Sequence, residues 1–149
     1  MHLFGVDSQL IADETYYVIE RHGELAAAGG WSRRRTMYGG DQFKGSADPL
    51  LDPATEPARI RAFFVHPTHA RQGLARALFR HCAAAAWSAG FCRLELVATL
   101  PGEPLYRALG FTAVEPVTAR LPDGVELRCT RMTRPLDRGD ASDASDASD

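Results

Sequence analysis

The chain has 149 residues, a formal charge of −2, and 45% hydrophobic and 24% charged residues, the profile of one soluble globular domain able to bury a core without metal or disulfides. Four of its 19 acids lie in the terminal run DASDASDASD, leaving 15 against 17 bases elsewhere; so small an excess argues against a nucleic-acid partner and suits a small polyanion. No apolar run is long enough to span a bilayer, no secretory h-region opens the chain, and the three cysteines show no C-x-x-C spacing, so a cytoplasmic protein with neither membrane partner nor metal is expected.

Residues 1–14 are weakly patterned, with one helical turn predicted over 7–11. TYYVIERHGELAAAGGW, from Thr15 on, reads as a hairpin. Tyr16 and Val18 alternate with Tyr17 and Ile19, and His22-Gly23 makes the turn. In the return strand Gly29-Gly30 breaks the pattern, which predicts a bulge or a close backbone approach. A Gly-, Pro- and Asp-rich connection follows over 32–57, a length typical of functional lids or disordered segments. RIRAFFVHP is a strand ending at Pro67, and the unbroken run Phe63, Phe64, Val65 predicts burial on both faces.

Leu74, Leu78, Cys82, Ala85, Ala86 and Ala89 then recur on one face of a helix, with Arg76, Arg80 and His81 off it and Gly90 as its stop. CRLELVAT is a strand and GEPLYRALG a short helix. FTAVEPVTARL and VELRCTRMTRPL close as a hairpin around Pro122-Asp123-Gly124. The order β-β-loop-β-α-β-α-β-β is a mixed α/β sheet with one parallel crossover and helices on both faces. The Asp-Ala-Ser tail has nothing larger than alanine to bury and reads as disordered.

ARQGLA, from Ala70 to Ala75, sits where the strand gives way to the helix. A helix start presents unpaired N–H groups and partial positive charge, and Gly73 and Ala75 leave them accessible between Arg71 and Arg76, an anion site suited to a pyrophosphate. There is neither G-K-[ST] nor G-x-G-x-x-G. Taken alone, the stretch fits equally well a glycine that permits tight strand-to-helix packing.

FFVHPTHARQGLARAL resembles the acetyl-CoA signature of the GCN5-related N-acetyltransferases, a V-x-P strand end followed by [Q/R]-x-x-G-x-[G/A]. PLYRALGF, Pro104 to Phe111, resembles that family's second signature. The resemblance covers 15–136. It implies an acyl-CoA N-acyltransferase (GNAT-like) fold lacking the usual first strand and helices, with 1–14 as a residual segment, 15–136 as the N-acetyltransferase domain and 137–149 as a disordered acidic tail. It further implies acetyl-CoA as acyl donor, a small-molecule or peptide amine as acceptor, and a sheet edge that a homodimer would cover.

By the same resemblance, Phe63, Phe64 and Val65 lend backbone groups to the pantetheine arm and the oxyanion. Ala70, Arg71, Gln72, Gly73, Leu74, Ala75 and Arg76 cradle the pyrophosphate, with Ala70 standing where the motif has Gln or Arg. Tyr106 is the acid for the leaving thiolate, a transfer uphill by roughly 2 kcal/mol from ordinary pKa values. Glu95 is the candidate base, because LEL is similar to the LEV strand of ribosomal-protein alanine acetyltransferases, one residue closer to the tyrosine here. Glu95 fits equally a strand glutamate paired with Arg59 or Arg61, with the base acting through water. TLPGEP replaces a common asparagine after that strand.

His66 reads as a solvated residue beside Pro67 rather than a base near the strand end, and Cys82 and Cys92 as small core hydrophobes rather than nucleophiles. Arg33, Arg34 and Arg35 suit an acidic acceptor, the 3′-phosphate of the cofactor or a solvated loop entrance. Trp31, Met37, Tyr38 and Phe43 suit a pocket wall or a cap on the core. A non-catalytic acyl-CoA-binding module is the alternative to an enzyme.

Overall fold

A computed structural model describes residues 13–34 and 49–141. The predicted turn over 7–11, the loop residues Arg35, Met37, Tyr38 and Phe43, and the tail beyond Ala141 lie outside them. The described strands are β1 (Tyr16–Arg21), β2 (Glu24–Ser32), β3 (Ala58–Val65), β4 (Arg93–Thr99), β5 (Thr112–Arg120) and β6 (Glu126–Pro135), with helices α1 (Leu74–Ser88) and α2 (Glu103–Ala108). They form one sheet in the order β1-β2-β3-β4-β6-β5. Every neighbouring pair is antiparallel except β3 and β4, which α1 joins as a parallel crossover. The fold is the mixed α/β sheet expected, in the expected element order.

Local chemistry accounts for most elements. His22 and Gly23 both have positive φ, 55° and 79°, the turn that matches the twist of two adjoining strands. The expected disturbance at Gly29 is also present. Ala28 pairs with Phe64 and Gly30 with Arg61, so two steps on β2 are matched by three on β3, a β-bulge. A Cβ on Gly29 would stand 2.6 Å from Cδ1 of Phe63: the ring occupies the space that glycine leaves.

The bulge reverses the alternation of β3. Ile60 lies in the core and Phe63 packs on that same core, while Val65 packs on Leu74 and Leu78 of α1. The run Phe63, Phe64, Val65 is only half-buried, against the expectation of burial on both faces. The reason is that β3 and β4 pair only at Ala58–Leu94 and Arg59–Glu95; beyond those two rungs the strands part.

On α1 the buried stripe is Leu74, Leu78, Phe79, Cys82, Ala83, Ala84 and Ala86, wider than predicted by Phe79, Ala83 and Ala84. Arg76, Arg80 and His81 are exposed as expected. Both described helices pack on one face of the sheet. Phe79 and Cys82 of α1 share one core cluster with Leu109 and Phe111, Tyr106 of α2 packs against it, and the Phe79 and Phe111 rings meet edge-on at 5.7 Å. The other face carries Arg59, Glu95 and Arg131.

Two further placements depart from expectation. Cys92 is exposed, because it lies in the turn before β4, where its carbonyl accepts from the Leu136 N–H at 2.8 Å. The described chain also runs on past Leu136. Asp140, first acid of the tail repeat, is buried; it accepts from the Asp137 N–H at 2.8 Å and pairs with Arg134 at 3.1 Å. Arg134 in turn donates to the Leu109 carbonyl at 2.9 Å and lies over the Phe79 ring.

The Gly29–Phe63 fit is testable by urea denaturation. Gly29→Ala is expected to cost about 1–3 kcal/mol by overpacking. Combined with Phe63→Ala it should cost less than the two changes summed; strict additivity would show that the ring is not the obstacle.

Candidate functional site

Three features converge where β3 and β4 part. The first is the edge of β3 itself. β2 remains laddered to it out to Ala27–Val65, and the His66 N–H continues that contact to the Ala26 carbonyl at 2.8 Å. The opposite edge has left β4, so backbone groups of its C-terminal half face a gap at the carboxyl ends of two parallel strands, the usual place for a ligand in such sheets.

The second is the loop from β3 to α1. A 3₁₀ turn over Pro67–His69 is capped by His66, whose Nδ1 accepts from the Thr68 N–H at 3.2 Å. His66 caps this turn from a partly exposed position. His69 is buried and its Nε2 meets Glu24 Oε1 at 2.7 Å, tying the loop to the β1–β2 hairpin. That hydrogen bond, foremost, holds the Glu24 carboxyl below its ordinary range.

Beyond His69, Arg71 and Gly73 both adopt positive φ, 64° and 76°. Left-handed residues at alternating positions turn successive N–H groups into a concavity. Ala70, Arg71, Gln72, Gly73 and Arg76 are exposed, Ala75 is half-buried and Leu74 is buried in the core. The first helical bond runs from the Ala77 N–H to the Gly73 carbonyl at 3.0 Å, so the N–H groups of the first turn have no intrahelical acceptor. No side chain caps them and no acid lies in that turn. Nothing lies within 4 Å of a Cβ built on Gly73; its glycine answers to φ, not to crowding inside the protein.

The third is a pair of titratable side chains on opposite faces of β4. Tyr106 packs its ring edge-on to Phe63 at 6.5 Å and to Phe111 at 6.0 Å, so it stands across the gap from β3. Burial, with a smaller contribution from the neighbouring Cys82, pushes its hydroxyl up to about 12. Burial pushes the Cys82 thiol up as well.

Glu95 alternates with Leu94 and Leu96, which point into the core, so its side chain lies on the other face. It is buried, with Oε1 at 2.5 Å from Arg59 Nη1 and Oε2 at 3.2 Å from Arg131 Nη1. The ion pair with Arg59 matches one of the two readings of this glutamate. Arg131 was not anticipated. Its alternation with the core residue Met132 was legible, but not that β6 rather than β5 lies beside β4.

The remaining candidates lie apart from the gap. Trp31 is in the core, Arg33 lies over its ring at 5.1 Å, and Arg34 pairs with Asp13 at 2.7 Å. Among the described residues no cluster of His, Cys, Asp and Glu is arranged to hold a metal ion.

A model of the acetyltransferase (GNAT) family matches residues 4–111. No curated protein sequence matches the chain. Among solved structures, the ribosomal-protein-S18-alanine N-acetyltransferase from Escherichia coli is 22% identical over 91% of this chain and 80% of its own, with a TM-score of 0.57. The ribosomal-protein-alanine N-acetyltransferase from Brucella melitensis is 16% identical over 87% and 74%, with a TM-score of 0.62. A phosphinothricin acetyltransferase from Sinorhizobium meliloti, in complex with acetyl-CoA, is 20% identical over 87% and 65%, with a TM-score of 0.61. At these identities the likeness is one of fold.

The Glu24–His69 tie has a pH signature. A carboxyl held below its ordinary range contributes stability above that range and loses it as pH falls through the lowered value. Melting temperatures of the wild type and Glu24→Gln should therefore differ near neutrality and converge below about pH 4; a constant difference down to pH 3 would contradict the pairing.

Proposed function

The chain belongs to the acetyltransferase (GNAT) family, and from that premise we propose that it is an acetyl-CoA-dependent N-acetyltransferase acting on a primary amine of a small molecule or peptide. The observation that carries this reading is the fork between β3 and β4, with an exposed helix-start loop at its mouth and Tyr106 and Glu95 on opposite faces of β4.

The residues present suit the acyl donor. A concave run of backbone N–H groups between Arg71 and Arg76, free of acids, fits a pyrophosphate. Ala70 supplies no polar side chain and Leu74 turns its own into the core, so the backbone from Gln72 to Ala75 and the two arginines hold the phosphates. The freed edge at Phe63, Phe64 and Val65 offers N–H groups to the pantetheine amides and to the developing oxyanion.

In the reaction, the amine nitrogen attacks the thioester carbonyl, the C–N bond forms, the C–S bond breaks, and the thiolate takes the Tyr106 proton. The amine proton goes to Glu95, directly or through water, and Tyr106 is reprotonated from solvent. With Tyr106 at about 12 and a thiol near 8.5 in water, its transfer is uphill by about 5 kcal/mol, more than ordinary pKa values give. The same apolar surroundings raise a bound thiol too, as they do Cys82, which narrows the gap. They also keep the phenol protonated at every working pH, as an acid must be.

A cytoplasmic location and a homodimer closing the β1 edge accompany this reading; among the described residues no helix is long and apolar enough to cross a membrane. A second reading, a non-catalytic acyl-CoA-binding module, is favoured by one observation: both Glu95 oxygens already accept from arginines.

Titration calorimetry with acetyl-CoA tests both readings, and no binding defeats both. For the enzyme, Tyr106→Phe should lower kcat about 10²-fold or more without changing the Kd for acetyl-CoA, in assays of thiol release with N-terminal peptides and alkyl amines. Gly73→Ala should weaken acetyl-CoA binding by more than it lowers stability. Binding without turnover on any of these amines would favour the module.

A further inference from the structure

Four charged residues form a row across the sheet face opposite the described helices, one on each of four neighbouring strands. Arg59 on β3 meets Glu95 on β4; Glu95 meets Arg131 on β6; Arg131 Nε meets Glu115 Oε2 on β5 at 2.9 Å. The signs alternate. Side-chain exposure is 13% and 11% for the inner pair, then 27% for Arg131 and 55% for Glu115. The row thus runs from a shielded end at the last rung of the fork to a solvated end at the sheet edge. Arg131 is its coupling element, using Nη1 for Glu95 and Nε for Glu115.

We propose that Arg131 is a positioning residue for Glu95, and that Glu115 sets how much of its charge Glu95 receives; the inference rests on the reading above in which Glu95 accepts the amine proton. Neither Arg131 nor Glu115 touches the reacting atoms. A carboxylate bound at one oxygen still swings about its last torsion, whereas a second guanidinium fixes Oε2 as Arg59 fixes Oε1.

Loss of Arg131 frees Oε2 and removes a cation at contact distance, so Glu95 takes a proton at higher pH. Loss of the Glu115 charge acts in the opposite sense: it removes a like charge and the competing acceptor of Arg131. Arg59, and Arg61 buried on the same face of β3, are the other charged groups facing Glu95 among the described residues, and both variants leave them in place.

Two readouts on the full-length chain test this. One is the acid limb of kcat/KM against pH, with acetyl-CoA and the best amine of the panel, or with water as acceptor if no amine turns over. The other is the carboxyl titration of Glu95 by carbon-13 NMR, assigned by its absence in Glu95→Gln. Arg131→Gln should move both upward by about one pH unit, a loss of about tenfold in rate below the limb. Glu115→Gln should move both downward by a smaller step, and Arg131→Lys should restore most of the wild-type position.

A titration that moves while the limb stays, or one that does not move, overturns the proposal and leaves Arg131 a structural ion pair. If the limb survives in Glu95→Gln, the proton route itself fails, an outcome distinct from failure of the Arg131 role. Acetyl-CoA binding by each variant confirms folding. Should Arg131→Gln not fold, the Glu115→Gln and Arg131→Lys shifts decide the matter alone.

Discussion

Two backbone rungs hold β3 to β4, Ala58–Leu94 and Arg59–Glu95, and the placement of everything functional depends on their being the last. Each strand keeps its outer partner. β4 is laddered to β6 along its whole length, and β3 follows β2 to Val65. Held from outside and joined only at one end, the two must diverge. The divergence exposes the backbone of β3, brings α1 to the mouth of the opening with its first turn uncapped, and leaves β4 flanked by different chemistry on its two faces.

That difference between faces is an electrostatic division of labour. On the helix side, Tyr106 sits among Phe63, Phe111 and Cys82, where burial favours neutral groups and keeps a proton on oxygen. On the other side, Glu95 lies in a row of alternating charges where each ion is stabilised by its neighbours. The two faces of β4 thus offer a hydroxyl in apolar surroundings and a carboxylate among cations.

Features encoded within a few residues were legible in the sequence. The His22-Gly23 turn, the stripe from Leu74 to Ala86 and the exposed ARQG loop all follow from local spacing and side-chain chemistry. What escaped depends on partners distant along the chain. Phe63, Phe64 and Val65 look like a fully buried strand until β4 is known to leave them. Arg131 is an unremarked basic residue until β6 is known to lie beside β4. The cap role of His66 is hidden because it depends on Thr68 turning back into a 3₁₀ turn. Cys92 reads as core because composition ignores which residues fall in a turn.

The bulge opposite Gly29 fixes a parity as well as a shape. Upstream of it, even-numbered residues of β3 face the core; downstream, odd-numbered ones do. Straightening the strand there without removing a residue would exchange the two faces of its far half, turning Phe63 and Val65 away from α1 and bringing Phe64 beneath it, whereas deleting the extra residue together with the bulge would keep both on the core side. The extra residue thus marks the point where the lip of the cleft is phased to the core below.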